Sequence, residues 1–141
     1  MRRNRFLALT AALTLGAALA VADLYKEPAS AEPVYNPATM VDFKAVVEEV
    51  VVIPEFAVMG GVHLIMKHAG QKVDVYLGPR KLLQIFNVTF NEGDFVHVIG
   101  SRVPYGQTEV VLTKEAHRGR VSIYLRETDG TPVWKDWLKT S

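Results

Sequence analysis

Histidine offers the most chemistry in this chain, because its imidazole can bind a metal ion or transfer a proton. The chain has four histidines: His63, His68, His97 and His117. None forms an H-x-H or H-E-x-x-H pair, the spacings that place two imidazoles on one metal ion. We expect His63 and His97 to face outward on strands that a small barrel holds apart, and a third ligand is missing. The sequence therefore predicts no metal site.

Nucleophiles and acid–base pairs are also missing from the pattern. The chain has no cysteine, which excludes a disulfide framework, a thiolate zinc site, an iron–sulfur cluster and covalently attached haem. Ser101 lies in the sequence IGSR, which is not the G-x-S-x-G elbow of hydrolases. Glu48 and Glu49 are adjacent, so on a strand they would point to opposite faces and could not act together. The sequence predicts neither an enzyme nor a cofactor.

The remaining candidates are apolar, aromatic and histidine side chains on the outside of the predicted barrel and in two of its loops. They are Phe56, Met59, His63, Ile65, Tyr76, Phe95, His97, Ile99 and Tyr105. So many apolar groups on an outer face are unusual for a free monomer. This favours a surface that binds a protein, a peptide or an amphipathic ligand. The alternative is that the linker, or the sixth strand and the C-terminal tail, covers this surface.

Nucleic-acid binding is the second functional alternative. Tyr76 and Tyr105 could stack on bases, and a few cations stand near them: Lys67, Arg80 and Arg102. The chain has a formal net charge of +1, but residues 1–22 hold three arginines and no acid. The other 119 residues have thirteen basic and fifteen acidic groups, a net charge of −2. A domain that neutralises phosphates needs clustered positive charge, so we do not expect a nucleic-acid partner.

The N-terminal segment predicts export. Residues 1–5 are basic, residues 6–22 are 17 uncharged and mostly apolar residues, and Ala20-Val21-Ala22 is a small-x-small cleavage pattern. Together these features are typical of a secretory signal peptide. The alternative is an uncleaved anchor, because 17 residues lie at the lower edge of the length that spans a bilayer. Either way, we expect the remaining chain in the periplasm, exported, or facing the periplasm from the inner membrane.

The rest of the chain divides into three parts. Residues 23–40 contain three prolines and no periodicity, which predicts an extended linker. Residues 41–127 carry the strand patterns of one barrel domain, and residues 128–141 form a tail with two tryptophans. The predicted strands are residues 41–53, 62–68, 73–77, 95–103, 109–116 and 121–126. A short amphipathic helix stands between the third and fourth strands, carrying Leu82, Leu83 and Phe86. This order predicts an all-β, OB-fold-like Greek-key barrel of five to six strands with one short helix.

The second and third strands are predicted to form a tight hairpin. A two-residue loop of Gly70 and Gln71 would suit a type II′ turn, which has glycine first. That register pairs His68 with Val73 and sets Lys67 opposite Asp74, a favourable cross-strand pair. It also places the apolar residues of both strands on one face: Leu64, Met66, Val73, Val75 and Leu77.

Three segments resemble a family of bacterial exported OB-fold proteins, most of them uncharacterised. The segments are VDVYLGPRKL, NEGDFVHVIGSRV and YLRETDGTPVW, in this order along the chain. The resemblance covers about residues 41–137. One position departs from it: the family often has an aromatic residue directly after the proline, whereas here Arg80 follows Pro79. It implies the fold and the compartment rather than an activity. We therefore expect an exported, non-enzymatic binding or adaptor module with a protein partner, such as a larger envelope complex, and membrane contact through residues 6–22.

Overall fold

The structure is a computed structural model that describes residues 32–137. The predicted signal peptide or anchor at residues 1–22, residues 23–31 of the predicted linker and residues 138–141 of the predicted tail lie outside the described residues. Within the described part, no helix is both long enough and apolar enough to cross a membrane.

Six strands and one short helix follow a 3₁₀ turn at Pro37–Thr39. They are β1 (Met40–Ile53), β2 (Gly61–His68), β3 (Gln71–Gly78), α1 (Arg80–Ile85), β4 (Phe95–Tyr105), β5 (Thr108–Arg118) and β6 (Val121–Tyr124). The strand order is β3-β2-β1-β4-β5-β6, and a parallel pairing of β3 with β5 closes the first five strands into a barrel. This confirms the predicted all-β, OB-fold-like Greek-key barrel, with β6 as an additional strand.

β1 belongs to both sides of the barrel. Its first half pairs with β4 up to Val46, and its second half pairs with β2 from Val46 to Ile53. A bulge between Val47 and Glu49 lets the strand bend from one partner to the other. A second bulge lies at Gly100, where a Cβ atom would come within 2.5 Å of the Leu112 carbonyl oxygen. Glycine allows this close approach because it has no Cβ atom.

The barrel interior is filled by alternate residues of the strands, as a period of two requires. The fully buried side chains include Leu64, Met66, Val75, Leu77, Val96 and Val98. α1 closes one opening of the barrel with Leu82 and Leu83, both buried. Large-to-small substitutions in such interiors typically cost about 2–5 kcal/mol each, so every buried side chain stabilises the fold. In a barrel without cysteine, this packing takes the place of disulfide bonds.

The register of the hairpin between β2 and β3 differs from the prediction. Ala69 and Gly70 both have positive φ angles, 51° and 77°, so the loop is of the I′ kind rather than a Gly70–Gln71 loop. As a result Lys67 lies opposite Lys72, and Asp74 lies opposite Ile65. The predicted pair of Lys67 with Asp74 is wrong. The predicted apolar face is nevertheless correct, because the register moves by two residues and a period of two preserves the face.

Candidate functional site

The outer surface of the barrel has two contrasting regions. We call the outward residues of β2 and β3 the covered face: His63, Ile65, Asp74 and Tyr76. We call the outward residues of β1, β4, β5 and β6 the open face: Asp42, Lys44, Val46, Phe95, His97, Ile99, Glu115, His117, Ser122 and Tyr124. The predicted binding residues fall on both faces and on the loops between strands, so each region is described in turn.

Three side chains from the two ends of the described chain pack over β2 and β3, and we call them the cover: Tyr35, Arg126 and Trp134. Trp134 is the central one. It is only 7% exposed, and its ring meets the Tyr76 ring edge-on with 6.3 Å between centroids. A Cβ atom on Gly78 would stand 2.9 Å from the Trp134 ring, so the ring can sit this low on the sheet only because β3 ends in glycine. Trp134 therefore packs the C-terminal tail against β3.

Arg126 and Tyr35 extend the cover on both sides of Trp134. The Arg126 guanidinium lies 5.2 Å from the centre of the Trp134 ring and 5.8 Å from that of Tyr35, and it donates a hydrogen bond to the Gly130 carbonyl. The chain before β1 is also fastened, since the Ser101 hydroxyl bonds to the backbone of Asn36. Segments from both ends of the described chain therefore pack beside one another.

His63 lies beside Tyr76 on this face, fully buried, with both ring nitrogens hydrogen-bonded. Nε2 donates to the Met59 carbonyl oxygen at 2.8 Å, and Nδ1 is 2.7 Å from Asp74 Oδ1. Burial lowers the pKa of His63, but the hydrogen bond and charge of Asp74 and the hydrogen bond to Met59 raise it, and the net effect is a raised pKa. When His63 is protonated, this contact with Asp74 is an ion pair inside the fold.

Together with Tyr76, His63 holds the loop between β1 and β2. The Tyr76 hydroxyl donates to the Gly60 carbonyl at 2.8 Å, and the two rings lie 4.9 Å apart. Burial raises the pKa of Tyr76, so its hydroxyl remains a donor. Met59, in the same loop, is buried with a left-handed φ of 62°. These side chains position a loop and are not presented to solvent.

The other predicted residues near this region are divided. Tyr105 is buried, and Ile65 is half-buried between Asp74 and Glu49 on the neighbouring strands. Phe56, in contrast, is 93% exposed at the tip of the loop between β1 and β2. The structure therefore does not bring these residues together into one continuous exposed surface.

The open face brings together Phe95, His97 and Ile99, which project from β4 on the same side. Phe95 is 59% exposed and lies opposite Val46 on β1. Tyr124, on β6, is 58% exposed and lies opposite Glu115. Aromatic side chains therefore stand at both ends of this face, with a polar cluster between them.

Two histidines, each hydrogen-bonded to a carboxylate, form that polar cluster. His97 and His117 are direct cross-strand neighbours, with ring centroids 5.3 Å apart. His97 Nε2 donates to Asp42 Oδ1 at 2.5 Å, and His117 Nε2 donates to Glu115 Oε1 at 2.9 Å. The second nitrogen of His117 is 2.7 Å from the Ser122 hydroxyl. Among residues 32–137, no group of three or more histidines and carboxylates is placed to hold a metal ion. The cluster can instead exchange hydrogen bonds with a partner.

Sequence reasoning did not place His117, Glu115 and Tyr124 on this face. The predicted fifth strand ends at residue 116, whereas β5 continues to Arg118. Glu115 and His117 are two residues apart on β5, so both side chains point to the same face as His97. A predicted strand that ended at Arg118 would include both. The alternating pattern continues to His117, and the turn sequence Arg118-Gly119-Arg120 follows directly after it.

Comparison with protein-family models finds a match over the central part of this chain. Residues 39–123, more than half of the sequence, match the model described as the MamS/MamX magnetosome protein family. The matched segment begins beside β1 and ends within β6, so it contains the whole closed barrel and all four histidines. No curated protein matches the chain.

Proposed function

The chain belongs to the MamS/MamX magnetosome protein family, and we propose that it is a non-enzymatic, magnetosome-associated OB-fold module that binds a protein partner through its open face. The observation that carries this proposal is the contrast between the two outer faces. Trp134 covers one of them, whereas the other exposes Phe95 and Tyr124 around paired histidines.

The composition of the open face suits protein recognition. Aromatic side chains dominate the energetics of protein–protein interfaces when they enter pockets on the partner. Phe95 and Tyr124 supply two such side chains. His97 and His117 lie between them with hydrogen-bonding carboxylates, which would fix the orientation of a partner.

No observation favours the nucleic-acid alternative. Tyr76 and Tyr105, the side chains expected to stack on bases, are both buried. The open face also carries two carboxylates, Asp42 and Glu115, which would repel a phosphate backbone. The proposed partner is therefore a protein.

Export is the second part of the proposal. It is supported by the sequence of residues 1–22, with its basic start, apolar core and small-residue triplet. We expect this segment to direct the barrel out of the cytoplasm. It is then either a signal peptide that is cleaved after Ala22 or an uncleaved anchor that leaves the barrel facing the periplasm. The intact mass of the protein from membrane and soluble fractions distinguishes the two forms, and a full-length cytoplasmic product would contradict both.

Site-specific photo-crosslinking in cells tests the proposed surface. A benzophenone amino acid replaces Tyr124 or Phe95 in one set of variants and Phe56 in the control, since Phe56 is exposed away from the open face. We expect discrete protein adducts from isolated magnetosomes at the first two positions and none at Phe56. Adducts only at Phe56 would move the interface to the loop between β1 and β2. Absence of adducts at all three positions would contradict the adaptor role.

A further inference from the structure

A groove of about 440 Å³ lies on the side of the barrel, away from both faces described above. It runs between β1 and β2 on one side and α1 with the chain that follows it on the other. The residues that line it are Val50, Val52, Val62, Arg80, Leu83, Gln84, Asn87, Val88, Thr89 and Phe90. Its volume falls within the range of about 300–1,000 Å³ that is typical of small-molecule sites.

The first wall consists of apolar strand residues. Val50 and Val52 are two residues apart on β1, so they share a face, and Val62 on β2 is the direct cross-strand neighbour of Val52. β1 pairs with β4 only as far as Val46. Beyond that point its other edge leaves room for a groove.

The second wall carries the polar groups. Arg80, Leu83, Gln84 and Asn87 follow the spacing i, i+3, i+4 and i+7, which places them along one side of the helix and its C-terminal turn. Asn87 has a left-handed φ of 56°, a conformation that asparagine tolerates at a helix end. The Val88 amide then bonds back to the Leu83 carbonyl, which turns Val88 into the groove.

The charge of the groove is one-sided. Arg80 is the single charged residue among those that line it. The Arg80 backbone amide donates to Glu55 Oε1 at 2.9 Å, while its guanidinium makes no hydrogen bond or ion pair with residues 32–137. The side-chain amides of Gln84 and Asn87 likewise have no hydrogen-bond partner within the described part of the chain. A guanidinium that forms no ion pair within the described residues and two side-chain amides therefore border an apolar floor.

We propose that this groove binds a small amphipathic monocarboxylate, with its aliphatic chain on the valines, Leu83 and Phe90 and its carboxylate on Arg80. The guanidinium presents a planar pair of donors that matches a carboxylate. Gln84 or Asn87 can donate a further hydrogen bond. The site is independent of the protein partner proposed above, because none of its residues belongs to the open face.

Octanoate serves as the probe, with octan-1-ol as the neutral arm that has the same chain. The full chain is labelled with ¹³C at its valine and leucine methyl groups, and each compound is titrated while its methyl spectrum is followed. We expect saturable shifts from octanoate confined to the lining residues Val50, Val52, Val62, Leu83 and Val88, with binding by octan-1-ol about tenfold weaker or more. Octanoate shifts that are absent, or located elsewhere, would overturn the proposal, as would equal binding of the two compounds.

Two substitutions on α1 provide the matched comparison. Arg80→Gln removes the charge in the groove, and Lys81→Gln removes the neighbouring charge, which is exposed and does not line the groove. We expect Arg80→Gln to weaken octanoate binding about tenfold or more and Lys81→Gln to leave it unchanged. Equal effects of the two substitutions would show general charge attraction and would overturn the assignment. Methyl shifts outside the groove report whether each variant keeps the fold.

Discussion

The covered face and the open face both pair histidine with a carboxylate, but the pair is buried on the covered face and lies at the surface on the open face. On the covered face, His63 is fully buried between Asp74 and the Met59 carbonyl, and the pair fastens a loop. On the open face, His97 and His117 are partly exposed, and their hydrogen bonds lie at the surface. The difference arises from the cover: glycine at position 78 lets Trp134 lie on the sheet, whereas nothing in the described residues covers Phe95 and Tyr124 in the same way.

The largest expected effect comes from removing the cover. Trp134→Ala deletes a buried indole that packs on Tyr76, Gly78 and Arg126. We expect the free energy of unfolding to fall by about 3–5 kcal/mol, the usual cost of emptying such a site. Urea denaturation of the full chain, followed by circular dichroism, measures this loss.

Trp137→Ala is the matched control, because Trp137 is 37% exposed. We expect it to cost less than Trp134→Ala, since less of its surface leaves water on folding. Equal losses from the two substitutions would mean that Trp134 does not hold the cover in place.

The buried ion pair gives the next largest effect, and it depends on pH. The pKa of His63 is raised in the fold above its ordinary value of about 6.5. Its contribution is therefore fully present below about pH 6.5 and is lost as the pH rises through the raised pKa. We expect the free energy of unfolding to decrease over that interval, measured by urea denaturation at a series of pH values.

Asp74→Asn separates this pair from other sources of pH dependence. The asparagine amide can donate to a neutral His63, so we expect a loss of about 1 kcal/mol at acidic pH and a flatter pH profile. An unchanged profile in this variant would place the pH dependence elsewhere in the chain.

A substitution on the open face should affect binding much more than stability. Phe95→Asp replaces a side chain that is 59% exposed, so we expect the free energy of unfolding to change by less than about 1 kcal/mol. We also expect the crosslinked adduct formed from position 124 to disappear, because a charge in an apolar interface opposes docking. Retention of that adduct at full yield would show that Phe95 lies outside the interface.

The smallest effect is expected for the exposed counterpart of the buried pair. Asp42→Asn removes the carboxylate that bonds to His97 at the surface. Exposed ion pairs contribute little, so we expect a change within about 0.5 kcal/mol. Urea denaturation beside Asp74→Asn gives the direct comparison, and a loss larger than that of Asp74→Asn would reverse the distinction between the two faces.

The fold could be predicted because most of its determinants are local. Alternating residues such as Leu64 and Met66, the glycine at position 100 and the helix after Pro79 each act within a few residues. The hairpin register was not predictable in the same way, because Ala69 adopts a left-handed conformation that sequence patterns assign to glycine. That error moved the pairing by two residues and left the buried face intact.

The site was harder to predict, because exposure depends on distant segments. Alternation placed both His63 and His97 outside the barrel, and the strand pairings agree with that. It could not indicate that Trp134 packs on Tyr76 or that Met59 hydrogen-bonds to His63, since both contacts depend on how segments outside these two strands fold back onto them. A covering tail is one of the alternatives that the sequence leaves open, but which strands it covers follows only from the three-dimensional arrangement.

The short parallel seam between β3 and β5 has a consequence for how the protein folds. It consists of two residue pairs, Val75 with Val111 and Tyr76 with Leu112. β3 and β5 are separated in the chain by α1 and the whole of β4. Bringing them together therefore costs the conformational entropy of that long segment before the contacts of the seam can offset it. We therefore expect barrel closure to be the last step of folding. In native-state hydrogen exchange, the same seam should open at lower free energy than the longer pairing of β4 with β5.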